Sequence, residues 1–312
     1  MTVVWVPYPD WPAQLDLPDG TVVKVFEGSG DLPAGIEDVE VYVLPYMGAA
    51  ENGALMARMT SLKVAQSLSA GVETILPYVP AGVTFCNARG VHDASTAELA
   101  VTLMLASLRG VPALVRAAEH GEWSPSVRPS LADRRVLLLG YGAVGKAVQR
   151  RLAGFECDVR RVARQARAAG DDGPDAPQVW AFESLRQLLP WAEVVVLTVP
   201  LTEETTGLVD AAFLAAMPDG ALLVNIARGQ VVDTDALVAE TATGRLSAAL
   251  DVTDPEPLPP DHPLWSHDTV LVVPHVGGAT NAFPSRALAL VRDQLGRHLA
   301  GDPLANVITG SY

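Results

Sequence analysis

From residue 136 onward the chain repeats one pattern: a short run that is apolar at nearly every position, then an amphipathic stretch. The runs are 136–139, 159–162, 194–199, 222–225, 248–250 and 270–273, and they are rich in Val and Leu. A strand with one wet face alternates apolar and polar residues. A run that is apolar throughout needs cover on both faces. Helix candidates at 144–153, 184–189, 211–216 and 234–241 stand between most of the runs. This alternation predicts an α/β fold with a doubly wound parallel sheet. The first part of the chain repeats the theme more weakly at 3–6, 22–26, 41–44, 63–67 and 84–87, which predicts a second, smaller α/β domain. Two domains also suit 312 residues, at about 150 residues each.

Two longer helices are expected to join the domains. One begins near Ser95-Thr-Ala-Glu98, which has the spacing of a capping box, and runs through Leu99, Leu103 and Ala106 to about Ala118. The other starts near Pro284, a favourable first-turn residue, and runs to about Ala300. Segments 171–177 and 255–263 are rich in Pro, Asp and Gly and read as loops.

Composition narrows the function classes. The net charge of −14 repels nucleic-acid phosphates, so no nucleic-acid partner is expected. The one local basic cluster, Arg160, Arg161, Arg164 and Arg167, is too short for a duplex track and suits a single phosphate group. No apolar run is long enough to span a bilayer, so no membrane partner is expected. Met1-Thr-Val-Val-Trp-Val-Pro lacks a basic region and a small-residue cleavage site; it reads as a first strand, and the expected compartment is the cytoplasm. Cys86 and Cys157 are far apart and outside any CxxC pair, so neither a disulfide framework nor a metal site is expected.

Gly140-Tyr-Gly142-Ala-Val-Gly145 follows one apolar run and opens a helix candidate. The first glycine permits a tight turn, the second lets backbone approach a pyrophosphate, and the third lets helix pack close to strand. The helix N-terminus adds unpaired N–H groups and partial positive charge. In this context the motif reads as a dinucleotide site. An NAD site calls for an acidic residue after the next strand, to accept from the ribose 2′-hydroxyl. Here Ala163-Arg164-Gln165-Ala166-Arg167 stands instead. A carboxylate repels a 2′-phosphate, whereas arginine grips one. NADP is therefore the expected cofactor, with NAD as the alternative if Arg164 and Arg167 form only a solvated pair.

Gly140, Arg164, Pro200, Arg228, Asp251 and His275 each fall at or just past the end of a different apolar run. In an open parallel sheet those ends line the ligand crevice. Arg228 can bind a carboxylate and polarise an adjacent carbonyl. His275 can pass a proton near neutral pH, and Glu256 can orient it and favour its charged form. Taken singly, Arg228 can equally cap a helix, Glu256 be a solvated loop carboxylate, and His275 hydrogen-bond in a core.

Further segments carry a resemblance. Leu62-Lys-Val-Ala-Gln-Ser-Leu-Ser-Ala-Gly71, Ser95-Thr-Ala-Glu-Leu-Ala, the glycine turn, Leu223-Val-Asn-Ile-Ala-Arg-Gly229, Ala249-Leu-Asp-Val-Thr-Asp-Pro-Glu-Pro-Leu258 and Pro274-His-Val-Gly-Gly-Ala-Thr280 resemble the D-isomer-specific 2-hydroxyacid dehydrogenases over nearly the whole chain. Ala163-Arg-Gln-Ala-Arg and the Asp251-to-Pro259 loop are most similar to the glyoxylate/hydroxypyruvate reductases within it. The resemblance implies a Rossmann cofactor domain, 99–282, inserted into a smaller flavodoxin-like substrate domain, 1–98 with 283–312. It implies that Arg228 binds the 2-keto acid, His275 is the acid/base and Glu256 its partner. Ala70 and Gly71 are implied to hold the substrate carboxylate through backbone N–H groups. Asp251 is implied near the nicotinamide, Ala143 and Val144 at the pyrophosphate, and Pro200, Ile226 and Gly277 along the cofactor groove. A homodimer acting on a small 2-keto or 2-hydroxy acid is also implied.

Tyr46 and Met47, Arg89, His92 and Trp265 are secondary candidates for the substrate pocket, with packing roles the commoner reading. Trp123 is expected to anchor packing after the linking helix, and Lys63 to sit at a strand edge. Three alternatives stand beside the reductase. A dinucleotide-sensing, co-repressor-like relative keeps the same triad, and a dehydrogenase for a bulkier 2-keto acid would use NADH. Formate or phosphite oxidation is disfavoured, because Glu256 and Ser69-Ala70 depart from those branches.

Overall fold

The computed structural model describes residues 1–46, 48–171 and 173–309. The chain divides into two compact units: Met1–His92 with the chain from Asn281 onward, and Asp93–Thr280.

The first unit holds β1 (Thr2–Val6), β2 (Thr21–Val25), β3 (Val39–Val43), β4 (Val64–Gln66) and β5 (Thr84–Cys86), with short helices α1 (Trp11–Gln14) and α2 (Ala49–Ala54). The strands are parallel in the order β2-β1-β3-β4-β5, the flavodoxin-like order. Alternate side chains separate to the two faces. Val3, Trp5, Tyr42 and Ala65 enter one core, and Val4, Val6, Val41, Val43 and Val64 the other. The C-terminal helix (Phe283–Ala300) covers the second face with Ala287, Leu288, Val291 and Leu295. It is tied down by the buried Gln294. Its Nε2 donates to Oε1 of Gln66 at 2.8 Å and to the Ala305 carbonyl at 2.9 Å, while its Oε1 accepts from the Ala305 N–H at 2.8 Å.

The second unit begins with α3 (Asp93–Leu108) and α4 (Val111–Glu119). Then come β6 (Arg135–Leu139), α5 (Ala143–Leu152), β7 (Asp158–Ala163), β8 (Trp180–Ala181), α6 (Leu185–Leu188) and β9 (Val194–Leu197). The unit closes with α7 (Ala211–Ala216), β10 (Leu222–Asn225), α8 (Thr234–Ala242), β11 (Ser247–Leu250) and β12 (Val270–Val272). The seven strands are parallel in the order β12-β11-β10-β9-β6-β7-β8, the Rossmann order with an extra strand at one edge. Leu137, Leu139, Val195, Leu197 and Leu223 face one core, and Val136, Leu138, Val194, Val196 and Val224 the other. Each such side chain contributes about 1.5–3 kcal/mol on full burial. That outweighs the roughly 1 kcal/mol span of strand propensity, so pattern decides the fold here.

Several elements differ from the sequence expectation. The helix expected to start at Ser95 begins at Asp93 and lies wholly in the second unit, so the unit boundary precedes it instead of falling at 98/99. Ser95 and Glu98 sit inside the helix, not at its cap. It also does not run on to Ala118. Gly110 turns left-handed at φ 62°, Pro112 follows, and α4 leaves at 64°. The stretch 184–189 shortens to one α-turn flanked by 3-10 turns, with Pro190 in the second of them. The edge strand β8 is two residues long and leaves no period to detect. Trp123 anchors nothing: Gly121 at φ 69° turns the chain beyond α4, and the indole is 95 % exposed. Among the described residues no single helix is long and apolar enough to cross a membrane.

Candidate active site

Strand register brings the candidate residues of the second unit to one edge. Val162, Leu139, Leu197, Asn225, Leu250 and Val272 pair across the sheet as successive neighbours, so six strands end level. Arg164, Gly140, Pro200, Arg228, Asp251 and His275 follow within a few residues of those ends.

The glycine turn is shaped for a phosphate. A Cβ on Gly140 would lie 2.6 Å from the Thr198 carbonyl carbon, and one on Gly145 only 2.3 Å from the Gly140 oxygen. Thr198 pins the turn further, its Oγ1 donating to the Gly140 carbonyl at 2.7 Å. Gly142 is different: a Cβ there would meet nothing within 4 Å. It is exposed and stands as the N-cap of the ten-residue α5 without a side-chain cap. The two outer glycines serve protein packing, and the middle one leaves room at a helix N-terminus. That is the cradle a pyrophosphate requires, and Ala143 and Val144 supply the first helical N–H groups. The residues present fit a dinucleotide.

The four-arginine cluster is divided by the strand that carries it. The Arg160 guanidinium stacks 4.0 Å from the Trp191 ring centroid, and Arg161 Nε donates to Oε1 of Gln149 on α5 at 2.5 Å. Successive side chains of β7 point to opposite faces, so Arg160 and Arg161 cannot both join a single phosphate site; Arg161 lies on the Tyr141 side. Arg164 is exposed beyond the strand end. Arg167 is half-buried; its guanidinium lies 5.5 Å from the Tyr141 ring centroid, and Nη2 donates to the Tyr141 carbonyl at 3.4 Å.

At the other end of the row, side chains fix the backbone that presents Arg228 and His275. Asn225 Oδ1 accepts from the Ala227 N–H at 3.0 Å, and its Nδ2 donates to the Arg228 carbonyl at 2.9 Å. Gly229 must be glycine, since a Cβ would fall 1.9 Å from the Thr253 oxygen. The Asp251 carboxylate is 3 % exposed and accepts the N–H groups of Val276 at 2.7 Å and Gly277 at 3.1 Å. Burial pushes its carboxyl above the ordinary aspartate range, against those two donors and nearby His275, which favour the anion. This anchor holds His275 at φ 50°, a left-handed conformation that a non-glycine residue adopts at a cost. His275 Nδ1 donates to Oε1 of Glu256 at 2.5 Å. The Glu256 loop is itself held, with Thr234 Oγ1 donating to the Asp254 carbonyl and Thr253 Oγ1 to the Pro255 carbonyl, both at 2.8 Å. Ile226 is buried just past β10, and Thr205 Oγ1 donates to the Pro200 carbonyl at 2.7 Å.

Ala70 and Gly71 belong to the first unit, on the loop after β4. That loop is braced by Asn87 Nδ2 donating to the Ala70 carbonyl and His92 Nε2 to the Leu68 carbonyl, both at 2.8 Å. The His92 ring also stacks with Tyr46 and Phe283, at centroid distances of 5.4 and 5.2 Å. Arg89 is exposed, Trp265 Nε1 donates to the Pro259 carbonyl, and Lys63 pairs with Glu40 at 3.3 Å. Met47 lies outside the described residues.

Comparison with known proteins identifies the family. The family described as D-isomer specific 2-hydroxyacid dehydrogenase, NAD binding domain, matches residues 101–277, more than half of the chain. The mouse glyoxylate reductase/hydroxypyruvate reductase is 31% identical over 284 residues, covering 88% of this chain and 85% of its own length. The chain belongs to the D-isomer-specific 2-hydroxyacid dehydrogenase family. Two solved family structures extend the match. The enzyme from Xanthobacter autotrophicus Py2, in complex with NADPH and MES, has TM-score 0.81 and 31% identity, covering 99% of this chain and 98% of that one. The NADPH-dependent glyoxylate/hydroxypyruvate reductase from Sinorhizobium meliloti, in complex with NADP and sulfate, has TM-score 0.83 and 25% identity, with 99% and 98% covered. As a family member, this dehydrogenase is an oxidoreductase with a nicotinamide dinucleotide site, and the family acts on small 2-hydroxy or 2-keto acids.

Sequence reading passed over Thr198 and Tyr141, which hold the glycine turn and Arg167. A threonine directly after a buried strand was the available signal for the first, and an aromatic between the first two motif glycines for the second. The different surroundings of the glycines separate two substitutions. Gly145→Ala is expected to lower unfolding free energy by about 2–4 kcal/mol. Gly142→Ala should stay within about 1 kcal/mol of wild type yet bind dinucleotide at least several-fold more weakly. Urea unfolding and calorimetric titration read the two effects. Equal stability of both variants would contradict the division.

Proposed function

We propose that this dehydrogenase reduces a small 2-keto acid of the glyoxylate or hydroxypyruvate type to the D-2-hydroxy acid, using NADPH. The observation that carries the reading is the contact between His275 and Glu256 at the carboxyl edge of the second sheet. With Nδ1 committed to Glu256, Nε2 is the ring nitrogen left to carry a transferable proton. A carboxylate hydrogen-bonded to one ring nitrogen fixes the orientation and tautomer of an imidazole. The names of the mouse and Sinorhizobium relatives support the substrate class. Arg164 and Arg167, with no acid in the segment 163–167 at the end of β7, support NADPH.

In this reading Arg228 binds the substrate carboxylate through its planar fork and stabilises charge developing on the neighbouring carbonyl oxygen. The Ala70 and Gly71 backbone holds the same carboxylate. The turn Gly140 to Gly145 holds the pyrophosphate, and Arg164 and Arg167 hold the 2′-phosphate. Pro200, Ile226, Asp251 and Gly277 line the remaining groove. Bound there, the reduced cofactor supplies the hydride that the carbonyl carbon accepts. His275, protonated, gives its Nε2 proton to the carbonyl oxygen, and Glu256 keeps the ring oriented. In the reverse direction His275 takes the hydroxyl proton.

We further infer a homodimer. Val111, Leu114 and Val115 of α4 are 44, 40 and 53 % exposed, and Trp123 and Val127 beyond it are almost fully so. An apolar strip of this kind is characteristic of an interaction surface. Leu114→Glu combined with Val115→Glu is expected to convert a dimer to a monomer by sedimentation velocity; a monomeric wild type would refute the assignment.

The reaction itself is tested by consumption of NADPH or NADH with glyoxylate, hydroxypyruvate, pyruvate and phenylpyruvate. Glyoxylate or hydroxypyruvate with NADPH should turn over fastest. His275→Ala should lower that turnover by about 10²–10⁴-fold with NADP⁺ affinity retained. Preference for NADH, or no turnover with any of the four, would overturn the proposal.

A further inference from the structure

We infer that Tyr141 determines cofactor specificity: its ring and carbonyl hold the Arg167 guanidinium in place for the 2′-phosphate of NADP. This deepens the proposed NADPH preference and rests on it.

Tyr141 stands between the first two glycines of the turn and is 8 % exposed. Two cations flank its ring, Arg167 Cζ at 5.5 Å and Lys146 Nζ at 5.9 Å from the centroid. Its carbonyl accepts from Arg167 Nη2. The backbone of Arg167 is fixed independently, because its N–H and carbonyl pair with the carbonyl and N–H of Val179, each at 2.9 Å. Arg167 is thus held at both ends of its side chain, while Arg164 is exposed just past β7. A long, flexible side chain loses rotamer freedom when it grips a ligand. Where an aromatic face already restricts the guanidinium, less freedom remains to be lost. The residue that fixes Arg167 belongs to the turn that receives the pyrophosphate, so one short segment positions both phosphate sites.

A competing role is plain packing. Tyr141 lies in a core cluster with Ala147, Val148, Leu152 and Val179. Removal of a packing residue disturbs the turn for any dinucleotide, whereas removal of the Arg167 platform weakens only ligands with a 2′-phosphate. Calorimetric titration of wild type, Tyr141→Phe and Tyr141→Leu with NADP⁺, NAD⁺, adenosine 2′,5′-bisphosphate and adenosine 5′-monophosphate separates the two. Tyr141→Leu is expected to weaken the two 2′-phosphorylated ligands roughly five- to twentyfold and to leave the other two within about twofold. Tyr141→Phe keeps ring and carbonyl and loses only the hydroxyl, which hydrogen-bonds Arg161; it should keep the wild-type ratio of NADP⁺ to NAD⁺ affinity. If Tyr141→Leu does not fold, Tyr141→Met carries the same test, since it keeps apolar bulk and loses the flat contact; a similar selective loss is expected. Equal weakening of all four ligands, or unchanged NADP⁺ affinity, overturns the inference and leaves NADPH preference standing. A wild type that binds NAD⁺ as tightly as NADP⁺ overturns the preference, and the inference with it.

Discussion

The buried Asp251 joins the segments on which the chemistry is proposed to depend. Its N–H donates to the Asn225 carbonyl at the end of β10, and its carbonyl accepts from His275 beyond β12. Its carboxylate then takes the next two N–H groups, Val276 and Gly277. One residue thus spans three strand ends. A buried anion without partners is costly, on the order of several kcal/mol. Two donors at 2.7 and 3.1 Å offset much of that cost, and burial still pushes the carboxyl upward. The outcome is a rigid frame around His275, with Gly277 required because a Cβ would lie 2.7 Å from the same carboxylate. The frame explains how His275 is kept at a positive φ beside Glu256.

Most of this architecture was legible in the sequence because burial on both faces writes itself as unbroken apolar runs. Strands such as 222–225 needed no more than that, since every residue of β10 is buried. What failed was local. The capping-box spacing at Ser95 gave way to packing of the whole of α3 on the second sheet, and Gly110 cut the expected long helix in two. The edge strand β8 carried too few residues for any period. Trp123 illustrates a limit of another kind. An indole reads as a core anchor, yet here it stands exposed together with the apolar strip of α4.

The candidate site divides in the same manner. Strand-end residues were foreseeable, because parallel register places the ends of β6, β7, β9, β10, β11 and β12 in one row. Contacts that depend on side-chain direction were not. Arg160 and Arg161 are adjacent in sequence but go to Trp191 and Gln149 on opposite faces of β7. The apparent basic cluster is therefore split: Arg160 turns away to Trp191, while Arg161 is engaged by Gln149 and Tyr141. Tyr141 and Thr198 acquire meaning only once the turn is folded, when one lies beneath Arg167 and the other pins Gly140.

Family membership makes the chain an oxidoreductase, and the proton transfer proposed for it rests on the His275–Glu256 pair. If Glu256 orients the proton donor, it must act on the chemical step and not on cofactor binding. Single-turnover oxidation of bound NADPH by hydroxypyruvate, in wild type and Glu256→Gln, measures that step directly. The expected result is a chemical step slowed by at least roughly tenfold with NADPH affinity unchanged. An equal rate in the two proteins would contradict the assignment of this pair to the reaction.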